Sequence, residues 1–205
     1  MPATTARAAL AAIAASVLTA CGGTPSPAPS PASSPASGSE AASGTTATEV
    51  NPAGDIPDNQ AYVPFTPPGG GFTVKIPEGW ASSTAGATTT FTDKLNQVQV
   101  TSSRGAAAPT PESVTASDVP TLQTRTPNFA MGQVSTVPRA AGQATLLTYQ
   151  GDSAPNPVTG KVVRDAFERY SFFHGGIRVD LTLSGPTNAD NVDPWRTVTD
   201  SLSWS

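Results

Sequence analysis

The chain has 205 residues, with 11 Lys and Arg against 15 Asp and Glu, and only 13% of its residues are charged. A net charge of −4 excludes the basic face with which a nucleic-acid binder holds phosphate. A single Cys and a single His exclude an intramolecular disulfide, a thiolate metal cluster and a multi-histidine centre.

Residues 1–20 read as an export signal. Arg7 supplies a thin positive start, and Ala8 to Leu18 is an apolar run too short to span a bilayer. Leu18-Thr19-Ala20-Cys21 then looks like a bacterial lipobox: an aliphatic residue, two small residues that fit a narrow peptidase site, and a Cys. Its thiol would take the diacylglycerol, and cleavage would leave Cys21 as the new terminus. Two or more acyl chains give stable anchoring, palmitate among the usual ones, so the mature protein is expected on the extracytoplasmic face of the cell membrane. Residues 21–61 are mostly Ala, Gly, Pro, Ser and Thr, and 22–61 hold no aromatic residue, Lys or Arg. Such a segment buries too little apolar surface to offset its ordering entropy, so a disordered tether is expected up to residue 61.

All aromatic residues fall in 62–205, where the core must lie. Phe72 to Ile76 alternates and stops at Pro77, which marks a strand. Thr88 to Thr92 and Gln97 to Ser102 are short Thr- and Val-rich strands around a turn at Asp93-Lys94. Between Val114 and Thr126, Ser117 or Asp118 would cap a helix with Pro120 in its first turn. Gly132 to Val137, stopped by Pro138, and Ala144 to Tyr149 read as two more strands.

The clearest unit is a hairpin over 162–184. Ile177, Val179, Leu181 and Leu183 alternate with Arg178, Asp180, Thr182 and Ser184. A two-residue turn at Gly175-Gly176 pairs Phe172 with Val179, Tyr170 with Leu181 and Phe173 with Arg178. That register sets Glu168 against Leu183, so a bulge near 167–169 is expected. Asp180 is expected on the face away from the core. At the C-terminus Val192, Trp195, Val198 and Leu202 recur at helical spacing, with Asp190 or Asp193 as cap and Pro194 in the first turn.

Gly71-Phe72-Thr73-Val74-Lys75-Ile76-Pro77-Glu78-Gly79-Trp80 resembles the opening strand and turn of PsbP-like domains. The stretch from Gly175 through Val179-Asp180-Leu181-Thr182-Leu183-Ser184 to Ser201-Leu202-Ser203-Trp204 resembles that family's closing strand and helix. The lipobox and the Ala/Pro/Ser tether are similar to those of lipoproteins from high-GC Gram-positive bacteria. The resemblance implies an α+β fold for 62–205, an antiparallel sheet flanked by helices in a PsbP-like α/β/α sandwich. It implies no catalytic residues, since members are mostly binding or assembly factors.

The chemistry in the sequence is sparse. Gly151-Asp152-Ser153 resembles an esterase nucleophile block, which would need His174, the only His, to take the proton from Ser153. Pro155 rules out a G-x-S-x-G elbow. Asn188, Asp190, Asn191 and Asp193 lack the Gly and distal Glu of a calcium loop, and capping explains them. Phe173 with Arg178 forms a candidate aromatic–cation patch for a partner. The expectation is a non-enzymatic binding or assembly module of the cell envelope. It is held to the membrane through Cys21, needs no cofactor or metal, and takes a protein or envelope partner but no nucleic acid. A carrier of lipid or another apolar ligand is the alternative, and an envelope ester hydrolase a more distant one.

Overall fold

Period-2 alternation writes most of the architecture. A computed structural model describes residues 52–156 and 158–205. The signal segment 1–20, Cys21 and the tether up to residue 51 lie outside the described residues. Along the chain run β1 (Tyr62–Phe65), β2 (Phe72–Pro77), β3 (Ala81–Ala85), β4 (Thr88–Asp93) and β5 (Asn96–Arg104). A helical segment follows: α1 (Pro111–Ser113), a π-helical stretch Val114–Asp118, and α2 (Val119–Arg125). Then come β6 (Ala130–Arg139), β7 (Gly142–Asp152), β8 (Arg164–His174), β9 (Ile177–Pro186), α3 (Val192–Asp200) and β10 (Ser203–Trp204). A seven-stranded antiparallel sheet takes the order β3-β4-β5-β9-β8-β7-β6, and a three-stranded one the order β1-β2-β10.

The hairpin β8–β9 closes in the expected register, Phe172 with Val179 and Tyr170 with Leu181. Gly175 and Gly176 both have positive φ, 55° and 77°, as a two-residue turn between right-twisted strands requires. Val179, Leu181 and Leu183 are fully buried. They pack with Val98 and Val100 of β5, with Phe72, Val74 and Ile76 of β2, and with Trp195 and Val198 of α3. The small sheet and α3 therefore cover one face of the large sheet. On the other face Val114, Val119 and Leu122 of the helical segment pack on Leu147 and Tyr149.

Several expectations are corrected. No bulge interrupts β8 near 167–169, and pairing runs unbroken to Asp165 opposite Pro186. Glu168 tolerates its place opposite Leu183 because the Tyr170 hydroxyl donates to it at 2.7 Å, while Arg139 Nη2 donates to that hydroxyl at 2.7 Å. The first helix begins at Thr110, which caps Ser113 reciprocally, and Asp118 caps nothing. Pro120 thus stands inside a longer helical segment. It has no N–H to donate, and its ring would crowd the carbonyl four residues back. The wider π turn just before it, in which the Val119 N–H reaches the Val114 carbonyl, makes that room. Pro138 lies within β6, which it can do because β6 is an edge strand. Val192 is exposed and leaves the apolar stripe of α3 to Trp195 and Val198.

The tether also ends earlier than residue 61. Ile56 is 5% exposed and belongs to the main core. Its N–H donates to Asn191 Oδ1 at 2.8 Å, and the Gly54 carbonyl accepts from Asn96 and from Asn191 at 2.8 and 3.0 Å. The Asp190 N–H donates to Asp55 Oδ1 at 3.0 Å. Asn191 thus fastens this segment through its side chain and Asp190 through its backbone N–H, and α3 begins after Asn191 with no side-chain cap from Asp190 or Asp193.

Two expectations follow. Leu181→Ala should cost about 2–5 kcal/mol in urea denaturation, the range for a buried Leu in a core that cannot fully collapse. A chain beginning at Tyr62 should unfold at clearly lower urea than one beginning at Pro52, because it loses buried Ile56 and leaves Asn191 and Asn96 unsatisfied. Equal midpoints would show that the packed segment contributes nothing.

Candidate functional site

The strand registers lay residues of the helix-covered face in straight rows across the sheet. One row runs Tyr149, Phe167, Ser184, Gln97, Thr92. The next runs Leu147, Arg169, Thr182, Gln99, Thr90. A third runs Thr145, Ser171, Asp180, Thr101, Thr88. The helical segment covers the β7 end of these rows, the β9 residues Asp180, Thr182 and Ser184 are buried, and the β5-β4 end is left open. The result is an open groove of about 1100 Å³ whose floor is Thr, Gln and Ser, whose wall is α2, and whose end is closed by the loop 152–163.

Beneath the wall lies a buried ionic cluster. Asp180 takes the expected face, away from the main core, yet is only 5% exposed there. Arg169 Nη2 meets its Oδ2 at 2.9 Å, Arg178 Nε donates to its Oδ1 at 3.0 Å, and the Ser171 hydroxyl donates to the same oxygen. Arg178 also pairs with Asp118, and Arg169 Nε stands 3.6 Å from Asp118 Oδ2. Two acids and two bases cancel, which is what allows the group to be buried. Burial pulls the Arg178 guanidinium down, but Asp180 and Asp118 outweigh that and leave it above its ordinary range. Asp118 comes from the last position of the π stretch, so the cluster clamps the helical segment to β8 and β9.

At the closed end, Asn128 Nδ2 donates to Asp152 at 2.6 Å and Arg164 Nη1 meets Asp152 at 3.3 Å. These partners hold the Asp152 carboxyl below its usual range, the Asn128 bond most of all. Gly151 is required here: a Cβ would fall 2.0 Å from Thr126 Cγ2. Asp165 beside it is 6% exposed, and its Oδ1 has no protein partner. Burial, then the charge of Asp152, pushes Asp165 up to about 6. Tyr149 stacks between Phe129 and Phe167, at 5.2 and 4.5 Å, and burial raises its hydroxyl to about 12 against the pull of Arg169.

The residues singled out by sequence fare differently. Phe173 and Arg178 are cross-strand neighbours, but the Arg178 guanidinium turns to Asp118 and Asp180, and the Phe173 ring lies close against Gly105, so no free aromatic–cation patch forms. The Ser153 hydroxyl donates to the Ala154 carbonyl and accepts from the Val163 N–H, as a turn residue does. His174 stacks on Trp204 at 5.3 Å. Ser153 lies beside the start of β8 and His174 at its far end, ~30 Å apart at strand rise, so the two cannot exchange a proton. No cluster of three or more metal-ligating side chains occurs among the described residues, and no helix there is long and apolar enough to cross a membrane. Arg169 and Asp165 drew no attention in the sequence, and Asp118 only as a helix cap, because only the tertiary packing gives them their partners.

No protein-family model matches the sequence, and no curated protein matches it. Solved structures do. Cyanobacterial PsbP (CyanoP) from Synechocystis sp. PCC 6803 superposes with a TM-score of 0.50 at 14% identity, over 71% of this chain and 94% of that one. The Ran-binding protein Mog1p of Saccharomyces cerevisiae does so with a TM-score of 0.50 at 8% identity, over 70% and 95%. Mycobacterium tuberculosis LpqN, described as involved in cell envelope biogenesis, gives 0.40 at 12% identity over 72% and 92%, too loose an overlap to support an inference. This chain spans about half, 48%, of a Bacteroides thetaiotaomicron protein that it overlaps at 0.48 and 12% identity. These likenesses show the fold: an α+β domain of the PsbP and Mog1p type.

Asp180→Ala should cost about 3–5 kcal/mol, since it strands Arg169 and Arg178 without their shared counter-charge. Glu78→Ala at an exposed turn should stay within about 0.5 kcal/mol in the same urea assay. A raised carboxyl pKa means that the folded state holds a proton the unfolded chain has released. The Asp165 contribution is therefore full below about 4 and is lost as pH rises through about 6. Asp165→Asn should accordingly gain on the wild type in urea midpoint as pH is raised across that window, and a constant difference would show an ordinary carboxyl.

Proposed function

We propose that the protein is a non-enzymatic binding module of the bacterial cell envelope, anchored through Cys21 on the extracytoplasmic side, and that the groove is its binding surface. The groove's construction carries this reading. A neutral ionic cluster fixes the wall, Gly151 and Asp152 fix the end, and the β4-β5 floor of hydroxyl and amide side chains stays open to solvent on a sheet whose other face carries the main core. Small-molecule and polymer sites are commonly concave, rigidly backed and provided with a few convergent polar groups. An apolar-ligand carrier would call for an enclosed apolar cavity, and the Thr, Gln and Ser floor fits that poorly. A hydrolase built on Ser153 and His174 is excluded by their separation along β8.

The lipobox and the Ala/Pro/Ser segment support the location, with the tether lifting the domain off the bilayer. Cys21→Ser should abolish labelling by a fatty-acid analogue and move the protein from the membrane to the soluble fraction. Unchanged retention would remove the anchor from the proposal. For the groove, a photo-crosslinking side chain at Gln99 should give ultraviolet-dependent adducts in intact cells, while the same group at Lys75, exposed on β2, gives none. Equal labelling at both positions, or none at either, would overturn the groove as the binding surface.

A further inference from the structure

We infer that the groove binds an uncharged saccharide chain, which rests on the reading of the groove as the binding surface and names the ligand class. The floor offers hydrogen-bonding groups that carry no charge: Gln97 and Gln99 on β5 and Thr92 on β4, beside Thr88 and Thr101, which bond to each other at 2.8 Å, and the buried Thr182, whose hydroxyl accepts from Arg169 at 3.0 Å. Each Thr presents a methyl beside a hydroxyl, and each Gln two donors and an acceptor on an aliphatic stem. Sugar rings have the same mixed character, with C–H faces and hydroxyl edges, so one lining satisfies both.

The buried charges beneath the floor are already matched: Asp118 and Asp180 are paired with Arg169 and Arg178, and Asp152 with Arg164. At the rim Lys94, Arg125 and Lys161 are exposed. A polyanion would meet only these solvated side chains, where an ion pair contributes little, and no buried base free to receive it. A cationic peptide would find the acids engaged by arginines. An acyl chain would strand the floor's amides and hydroxyls without partners, a cost of roughly 1–3 kcal/mol for each group that loses water.

One feature at the closed end points the same way. Phe167 has one face on Tyr149 and is only partly buried, so an aromatic platform meets the polar floor there. The volume of about 1100 Å³ and the open side suit a chain of rings running across the strands rather than one enclosed ring.

The test uses the purified mature chain and an array of neutral oligosaccharides, of hexose and of pentose units, beside acidic polysaccharides and a random peptide library. A neutral oligosaccharide should bind and should shift the side-chain amide resonances of Gln97 and Gln99. Gln99→Leu, on the solvated face and so compatible with folding, should weaken binding about tenfold or more, in line with a site that has lost a hydroxyl partner. Phe167→Leu should weaken it as well, with the urea midpoint of each variant checking the fold. Binding that leaves those resonances unmoved, or that Gln99→Leu does not weaken, would overturn the site. Preferential binding of an acidic polysaccharide or a peptide would overturn the ligand class. If no sugar binds while the crosslinker at Gln99 still labels a cell component, the saccharide assignment fails and the binding surface stands; if neither occurs, both fail.

Discussion

Asp180 sits where strand alternation puts it, on the face of β9 opposite the main core, and there it is denied water. Its carboxylate is tolerable only because Arg169 and Arg178 flank it and Ser171 donates to it. Those arginines carry excess positive charge unless Asp118 approaches, and Asp118 belongs to the helical segment. One buried carboxylate thereby specifies where the helix lies on the sheet. The π turn makes room for Pro120 and ends on Asp118, so backbone geometry and ion pairing agree at that position.

The helix position in turn decides what the second face of the sheet is for. Had the helical segment lain across β4 and β5, the Thr and Gln rows would be buried and costly. Clamped over β7 and β8 instead, it covers the apolar pair Leu147 and Tyr149 and leaves the polar rows as a floor with a wall on one side. A β-sheet whose other face packs its central strands on β2 and α3 is a stiff support for such a surface. The saccharide assignment rests on that division, since the cluster under the wall neutralises the buried charges and leaves the floor itself to uncharged amides and hydroxyls.

The overlap with CyanoP and Mog1p concerns the support and not the surface. At 8% and 14% identity a shared fold says how the backbone is laid down, while side chains on the solvated rows are free to differ. Function on such a fold lives in the groove residues, and the partners of PsbP or of Mog1p give no guide to them.

The hairpin was legible in the sequence down to its register, because a side-chain period of two and a Gly-Gly turn leave one way to close it. The apolar face of α3 and the strand before Pro77 were legible for the same reason: burial selects residues at fixed intervals along one element. Glu168 was misjudged because the Tyr170 hydroxyl that bonds it is itself held by Arg139 from another strand, β6. Ile56 escaped notice because one apolar residue in a polar stretch has no period, and Asn191, which holds it, lies 135 positions away. The burial of Asp180 was invisible for a related reason: alternation fixes which face a residue takes, but only packing between elements decides whether that face meets water. What the sequence determined by itself was local, strand by strand; the ionic cluster, the position of the helix and the groove came from charges and surfaces distant in the chain that had to satisfy one another in space.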